Sequence, residues 1–562
     1  MKFAIARRLA AGLVCLVAMQ CLACVAWAGQ KVVTLNGQDL TIEQVVEIAE
    51  GRADVAIDPA ALDLCAKSHE LLMAFAAEGR PVYGLTVGVG LNKDKAIFHT
   101  AADGRKTLTP EVMDLSRQFN VNALRAHSAG VGPDMEPEMV RATMVIRLNT
   151  LLSGRTGAQV HVAELYRDFL NKGVTPVVPS RGTVGECDIT LAPHIGLVMM
   201  GEWQADYKGK RISGADALKK AGLKRLDAFG KDALSILSTN APAMAKTVFA
   251  VSDAERFLSV ATTVFGLSLE GLNGNVAPFI QPVNDVRPFT CFAAASKAVR
   301  AELEGSYLWT PMDGRALQDP LSYRTTTYTL GAAMEALADV KTKLAVQLNS
   351  SDDNPAVVVD VVPAKDTPAQ LAKYYLDAGY VKGAIFPTSN FEPLPVVLKA
   401  QNLSVALAHV SRNAVMRTLR LSDPHFTHLS RFLAADDVAI NFGAIAKPYV
   451  SLDADVRELA NPVSIDTVPV AGDIEDTATN SMRVADRLSR IVDNLYYIYG
   501  LELFHAAQAV DLRQRDAAIE LGHGTGEMYK AYRKVVSFVD KDRPFTPDIA
   551  KSHDFLKGYA IR

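Results

Sequence analysis

Three stretches in the second half of the chain, residues 329–349, 395–421 and 477–513, carry apolar residues three and four positions apart and contain no proline beyond a first residue. That spacing gathers the apolar side chains on one helical face, and without proline each backbone hydrogen-bond ladder can run unbroken. At the usual rise of ~1.5 Å per residue the two longer stretches make rods of about 40 and 55 Å, well beyond an ordinary globular helix. Rods of that length bury their stripes against one another, so a mainly α, long-helix bundle is the expected fold class. Such bundles tend to associate, because each rod has more apolar face than one chain covers. With 562 residues, 49% of them hydrophobic, the chain has the material for a large core.

The first 28 residues follow a different logic. A basic start (Lys2, Arg7, Arg8), an apolar run from Leu9 to Val25 and the small-x-small ending Ala26-Trp27-Ala28 before Gly29 have the form of a secretory signal peptide. An uncleaved anchor is the alternative, since the apolar run approaches spanning length. The expected mature protein starts at Gly29, is periplasmic or secreted, and is free of the membrane after cleavage. Its loss of three basic and no acidic residues leaves a net charge of −6, which argues against nucleic acid or an anionic surface as partner. Only Cys65, Cys187 and Cys291 remain, an odd number that implies no disulfide framework.

After Gly29, residues 32–37 read as a strand pair around an Asn36-Gly37 turn, and Thr41 as the cap of a first helix. Gly and Pro then cluster at 79–92, 128–137, 171–188, 274–290 and 309–324, which marks loops between helical stretches. The expected organisation is a signal peptide over 1–28, a smaller mixed N-terminal domain over 29–230 and the long-helix bundle over 231–562. No repeat, dinucleotide fingerprint or phosphate loop is present in the sequence.

The chemistry-bearing residues lie in those loops. In order they are Tyr83-Gly84-Leu85-Thr86-Val87-Gly88-Val89-Gly90; Asn122 to Gly132, with Ala126-His127 at its centre; Arg147-Leu148-Asn149 through Gly157; Asn171 to Pro179, leading into Gly182-Thr183-Val184-Gly185-Glu186-Cys187-Asp188; Gln318-Asp319-Pro320-Leu321-Ser322-Tyr323-Arg324; Asn349 to Pro355; and Glu475-Asp476. Taken together, and over nearly all of the mature chain, they resemble the aromatic amino acid ammonia-lyase and aminomutase family. Ala126-His127 is most similar to the Ser-His of the histidine ammonia-lyases. The resemblance implies the long-helix fold of the ammonia-lyase and fumarase type, and a homotetramer whose subunits share each site.

In that family, the resemblance implies, an Ala-Ser-Gly triplet cyclises and dehydrates into a methylidene-imidazolone electrophile while a tyrosine takes the substrate's β-proton. Here the triplet is Glu186-Cys187-Asp188. Loss of hydrogen sulfide from cysteine could give the same alkene, but Asp188 brings a Cβ and a charge into a closure that glycine permits, and Glu186 replaces a methyl by a carboxylate. The expected backbone is therefore linear, with no methylidene-imidazolone and no external cofactor. Two flanking carboxylates oppose a nucleophilic Cys187 thiolate. Cys187, Asp188 and His194 have the donor types for a metal without any standard spacing, so a metal is an open but not a favoured reading. The favoured reading makes Cys187 a small buried residue in a remodelled turn.

Three further departures accompany the triplet. Leu321 stands where the family has a tyrosine, Ser238-Thr239-Asn240 where it has Asn-Gly-Thr, and Ser389-Asn390-Phe391-Glu392-Pro393 where it has Gly-Asn-Phe-His-Gly. The resemblance gives Tyr83, Glu475 and Cys187 as catalytic candidates and His127, Arg324, Asn240 and Gln318 as substrate-binding ones, Arg324 clamping an α-carboxylate. Plainer readings stand beside these. Tyr83 could pack a turn, His127 a core, and Arg324 could be a surface charge. Glu475 and Asp476 could complement a helix beginning near Asp473, and Asp353-Asn354-Pro355 could be a turn only. The expected activity is that of an exported carbon–nitrogen lyase, of the ammonia-lyase or aminomutase type, acting on histidine or a related α-amino acid. The rivals are a non-lyase descendant that binds or differently transforms an amino-acid-like ligand, and a purely structural oligomer.

Overall fold

A computed structural model describes residues 31–89, 93–95 and 109–560. The proposed signal peptide and Gly90 of the Tyr83 loop lie outside them. Six helices set the frame: α1 (Pro110–His127), α2 (Pro137–Leu152), α3 (Ala241–Leu272), α4 (Thr326–Leu348), α5 (Leu394–Leu421) and α6 (Ser481–Asp516). α3 lies against α6 along much of its length, α6 against α5, and α5 against α4. The mainly α, long-helix class is thus the architecture observed.

α3 is a rod that the sequence pattern does not single out. It is buried on nearly every turn from Ala241 to Leu272, so it has no polar face against which an apolar stripe could stand out. α4 and α5 match their expected stretches within three residues. α6 begins at Ser481, not near Asp473 or at 477. Asn480 takes a left-handed φ of 50° and donates its N–H to Val184 O at 2.7 Å, which holds the preceding residues in a loop. Glu475 and Asp476 are accordingly not at a helix N-terminus. Glu475 pairs with Val470 across a turn in which Ala471, Gly472 and Asp473 all have positive φ.

The first strand also differs from expectation. Lys31–Leu35 does not turn back at Asn36-Gly37; it pairs in parallel with Ala53–Ile57, and the helix Ile42–Ala49 makes the crossover that parallel pairing requires. Gly37 donates its N–H to Asn149 Oδ1, which directs the chain away from a hairpin. Thr41 caps that helix as expected, and Gln44 completes a reciprocal capping box. One apolar core runs from Val33 to Leu556, and a smaller one lies between the end of Pro59–Ala77 and the strands around 357–385. Cys65, Cys187 and Cys291 are free thiols. Among the described residues no helix is long and apolar enough to cross a membrane.

Candidate active site

The loop that carries the triplet is clamped between the starts of α3 and α6. Gly185 has φ +96°, and a Cβ there would come within 2.6 Å of Ser481 N and 2.7 Å of Thr479 Oγ1, so only glycine fits under the α6 entry. Thr479 Oγ1 donates to Gly185 O at 3.1 Å. Past this turn the N–H groups of Cys187 and Asp188 are both committed. Cys187 N donates to Asn240 Oδ1 at 3.1 Å, and Asp188 N to Thr239 O at 2.7 Å.

Asp188 is fully buried and uses both oxygens. Oδ1 accepts from Thr183 Oγ1 at 2.7 Å, and Oδ2 accepts from Ala243 N at 2.8 Å, one of the free amides at the start of α3. Burial pushes its carboxyl up to about 6 against these hydrogen bonds. Cys187 is buried with φ +59°, and its Sγ lies 3.3 Å from Ser238 Oγ. Burial pushes the thiol far above its ordinary range, which leaves it a poor nucleophile at neutral pH.

Glu186 behaves differently, because its side chain meets other acids. Burial, followed by repulsion from Glu392 and Glu475 and more weakly from Asp188, pushes it up to about 8, while a hydrogen bond from Thr479 opposes the rise. Its Oε1 is out of contact with solvent and has no hydrogen-bond partner among the described residues. Glu392 is held by a bond from Leu394 N to its Oε1 at 2.8 Å, and the adjacent Phe391 O accepts from Asn240 Nδ2. Two carboxylates at positions where the resembled family has alanine and histidine thus act on one another across 206 residues of sequence.

Beneath the loop lies a buried ion network that the reading of Asp353-Asn354-Pro355 as a turn only does not anticipate. Arg147, on α2, donates to Asp352 Oδ1 at 2.6 Å and to Asp353 Oδ2 at 3.2 Å. Lys231 Nζ donates to Asp353 Oδ1 at 2.8 Å. All four side chains are at most 2% exposed. Nothing but side-chain chemistry could have signalled this: two adjacent acids inside a buried segment need cations, and Arg147 and Lys231 supply them.

The remaining candidates fall into two groups. The Tyr83 segment lies against the short helix Asp232–Leu237, where a Cβ on Gly84 would run into Leu234, and that helix leads directly to Ser238, Thr239 and Asn240. His127 ends α1, its Nδ1 2.7 Å from Ala123 O, and the chain just past it is tied to the triplet segment by Gly130 N donating to Thr190 O at 3.1 Å. Arg324 and Gln318 are elsewhere. Arg324 Nε donates to Asp319 O, Asp319 accepts from Asn275 N, and Asn273 caps the far end of α3. The triplet sits at the Asn240 end of this 32-residue helix, so about 48 Å of rod separates the two groups within one chain. Gln318 and Leu321 are exposed there. Among the described residues no group of three or more His, Cys, Asp or Glu side chains is disposed to hold a metal.

The arrangement can therefore present acids and a tyrosine segment around a glycine-turned loop, with Arg324 held apart from them within the chain. Residues 40–534 match the aromatic amino acid lyase family. Histidine ammonia-lyase 2 of Fusobacterium nucleatum is 30% identical over 533 residues, covering 94% of this chain and 97% of that protein. The crystal structure of the ergothioneine-degrading enzyme ergothionase from Treponema denticola, in complex with desmethyl-ergothioneine sulfonic acid, superimposes with a TM-score of 0.83 at 37% identity, covering 94% and 99% of the two chains. Tyrosine aminomutase from Streptomyces globisporus follows at 0.81 and 26%, covering 93% and 96%. On the length of the match and the order of its loops, the chain belongs to the aromatic amino acid lyase family.

Proposed function

We propose that the protein is an exported carbon–nitrogen lyase that works without a methylidene-imidazolone and eliminates trimethylamine from an imidazole-bearing betaine of the ergothioneine type. The observation that carries this reading is the triplet. Ring closure needs the nitrogen of residue 188 to reach the carbonyl of residue 186. Here that N–H is given to Thr239 O, and the Asp188 carboxylate is buried and bonded on both oxygens. The residues present do not fit the family's electrophile.

A substrate that dispenses with the electrophile follows from chemistry. A base strong enough to take a β-proton also deprotonates a primary ammonium, and the resulting amine does not leave; an electrophile solves this by capturing the nitrogen. A trimethylammonium group has no proton to lose and no lone pair to capture, so it stays a leaving group at any pH. The β C–H electrons form the carbon–carbon double bond, the C–N electrons depart with neutral trimethylamine, and the proton passes to a base, for which Tyr83 is the candidate. The acids around Glu186 favour a cation at the nitrogen, and Oε1 of Glu186 has no hydrogen-bond partner among the described residues. The 37% identity to a protein solved with an ergothioneine analogue supports the same class of ligand.

The test is a panel of ergothioneine, the sulfur-free trimethyl betaine of histidine, and histidine, followed by amine release and by absorbance of the unsaturated acid. Trimethylamine from ergothioneine with no ammonia from histidine is the expected outcome, with an intact mass equal to the unmodified mature chain. Ammonia from histidine, together with a mass lower by one hydrogen sulfide and one water, would overturn the proposal.

A homotetramer belongs to this reading, because Arg324 can reach a carboxylate beside Glu186 only from another copy. Arg324→Ala should weaken binding of the betaine by about 1.5–3 kcal/mol, the scale of a charge-assisted hydrogen bond. A monomer in sedimentation, or affinity unmoved by the substitution, would remove Arg324 from the site.

A further inference from the structure

We infer that Asp352 is a positioning residue that holds the reacting loop in register through Thr239 and Asn240. Its two oxygens face opposite ways. Oδ1 takes the Arg147 guanidinium at 2.6 Å, and Oδ2 takes both Thr239 Oγ1 at 2.6 Å and Asn240 N at 3.1 Å. Those two residues are in turn the acceptors for the loop: Thr239 O for Asp188 N and Asn240 Oδ1 for Cys187 N. Asn240 Nδ2 reaches across to Phe391 O, next to Glu392. One buried carboxylate therefore fixes the peptide from which both the triplet loop and the segment before Glu392 are hung.

The anchor is stiff for a physical reason. Arg147 is itself immobilised, with Nε donating to Ser235 O at 2.8 Å and Nη2 to Asp353, whose other oxygen is held by Lys231. A carboxylate bonded this way and buried has one low-energy position, and the charge-assisted bonds to it are short and directional. Cys187, at a left-handed φ that a non-glycine residue adopts at a cost, keeps that conformation because its N–H has a fixed acceptor. Losing the anchor lets the loop relax.

The experiment compares Thr239→Val, Thr239→Ser and Asp352→Asn. Thr239→Val removes the hydroxyl link and leaves every ion pair intact, so it is the variant that keeps the fold if Asp352→Asn does not. Two readouts are used on the native protein: turnover of ergothioneine, and the rate at which Cys187 is alkylated by a small thiol reagent, mapped by peptide mass. Cys65, equally buried and bonded to Leu151 O at 3.2 Å, is the internal reference for general loosening. Thr239→Val should lower kcat at least tenfold with a smaller change in KM and raise Cys187 alkylation at least tenfold with Cys65 unmoved, and Thr239→Ser should restore both. Cys187 unchanged in Thr239→Val, or Cys187 and Cys65 accelerating together, overturns the inference. The alkylation arm needs no substrate, so a failure of the proposed elimination and a failure of the positioning role are separately visible.

Discussion

Replacing Glu502 by alanine should destabilise the protein by about 3–5 kcal/mol, the usual cost of leaving one charge of a buried pair alone. Glu502, on α6, and Arg417, on α5, are both wholly buried and joined in a fork: Nε to Oε1 at 2.6 Å and Nη2 to Oε2 at 2.7 Å. The remaining guanidinium nitrogen donates to Thr326 Oγ1 at the start of α4, and the plane lies over the rings of Phe265 on α3 and Tyr499 on α6. One arginine thus locks four rods together. Without Glu502 its charge keeps only a hydroxyl pair and two ring faces, which cannot replace a carboxylate out of water. A fall in the urea midpoint measures the effect, and the double change Arg417→Met with Glu502→Leu should recover most of it, since an apolar pair of similar volume removes the stranded charge. A midpoint within 1 kcal/mol of the parent in Glu502→Ala would mean that the pair is not closed in solution.

That lock shows which parts of the structure the sequence could announce. α4, α5 and α6 are half-buried, so their apolar spacing is readable, and the bundle class follows from it. α3, the rod on which the site is mounted, is buried on nearly every turn and offers little period to read. Glycines and glycine-flanked motifs announce the Tyr83 loop and the triplet turn, because a positive φ restricts what can stand there. Hydrogen-bonded roles are less visible. Thr239 looks like an ordinary residue of a loop, and Asp352 and Asp353 look like turn formers, until burial pairs them with Arg147 and Lys231. Glu392 was legible as a departure from the resembled motif, but its meaning depends on Glu186 standing opposite, and no local pattern relates positions so far apart. The separation of Arg324 from the triplet is a matter of helix length, invisible to a motif and plain once α3 is measured.

The affinity of the protein for a trimethylammonium betaine should climb with pH through the neutral range and level off above about 8, and Glu186 is the reason. In the free protein burial and the charges of Glu392, Glu475 and Asp188 raise its carboxyl to about 8, so below that value it is mostly neutral. The charges acting on it most strongly are all negative, and a bound cation is the counter-charge they lack. Binding favours the ionised form, lowers the folded value in the complex, and releases a proton. The sign follows: between the lowered value and about 8, each unit of increasing pH removes a cost of deprotonation from binding, strengthening it by up to about tenfold per unit. The same raised carboxyl makes the free protein lose stability as pH rises from the ordinary glutamate value of 4.5 towards 8, and the betaine should offset that loss. Glu186→Gln keeps the size and removes the charge. It should flatten the pH profile, abolish the proton released on binding, and weaken binding at pH 8.5 by about tenfold to a hundredfold, the scale of a charge-assisted contact of about 1.5–3 kcal/mol. Titration calorimetry in two buffers of different ionisation enthalpy reads the proton directly. A profile that keeps its slope in Glu186→Gln would move the cation away from this carboxylate and leave Glu392 and Glu475 to hold it.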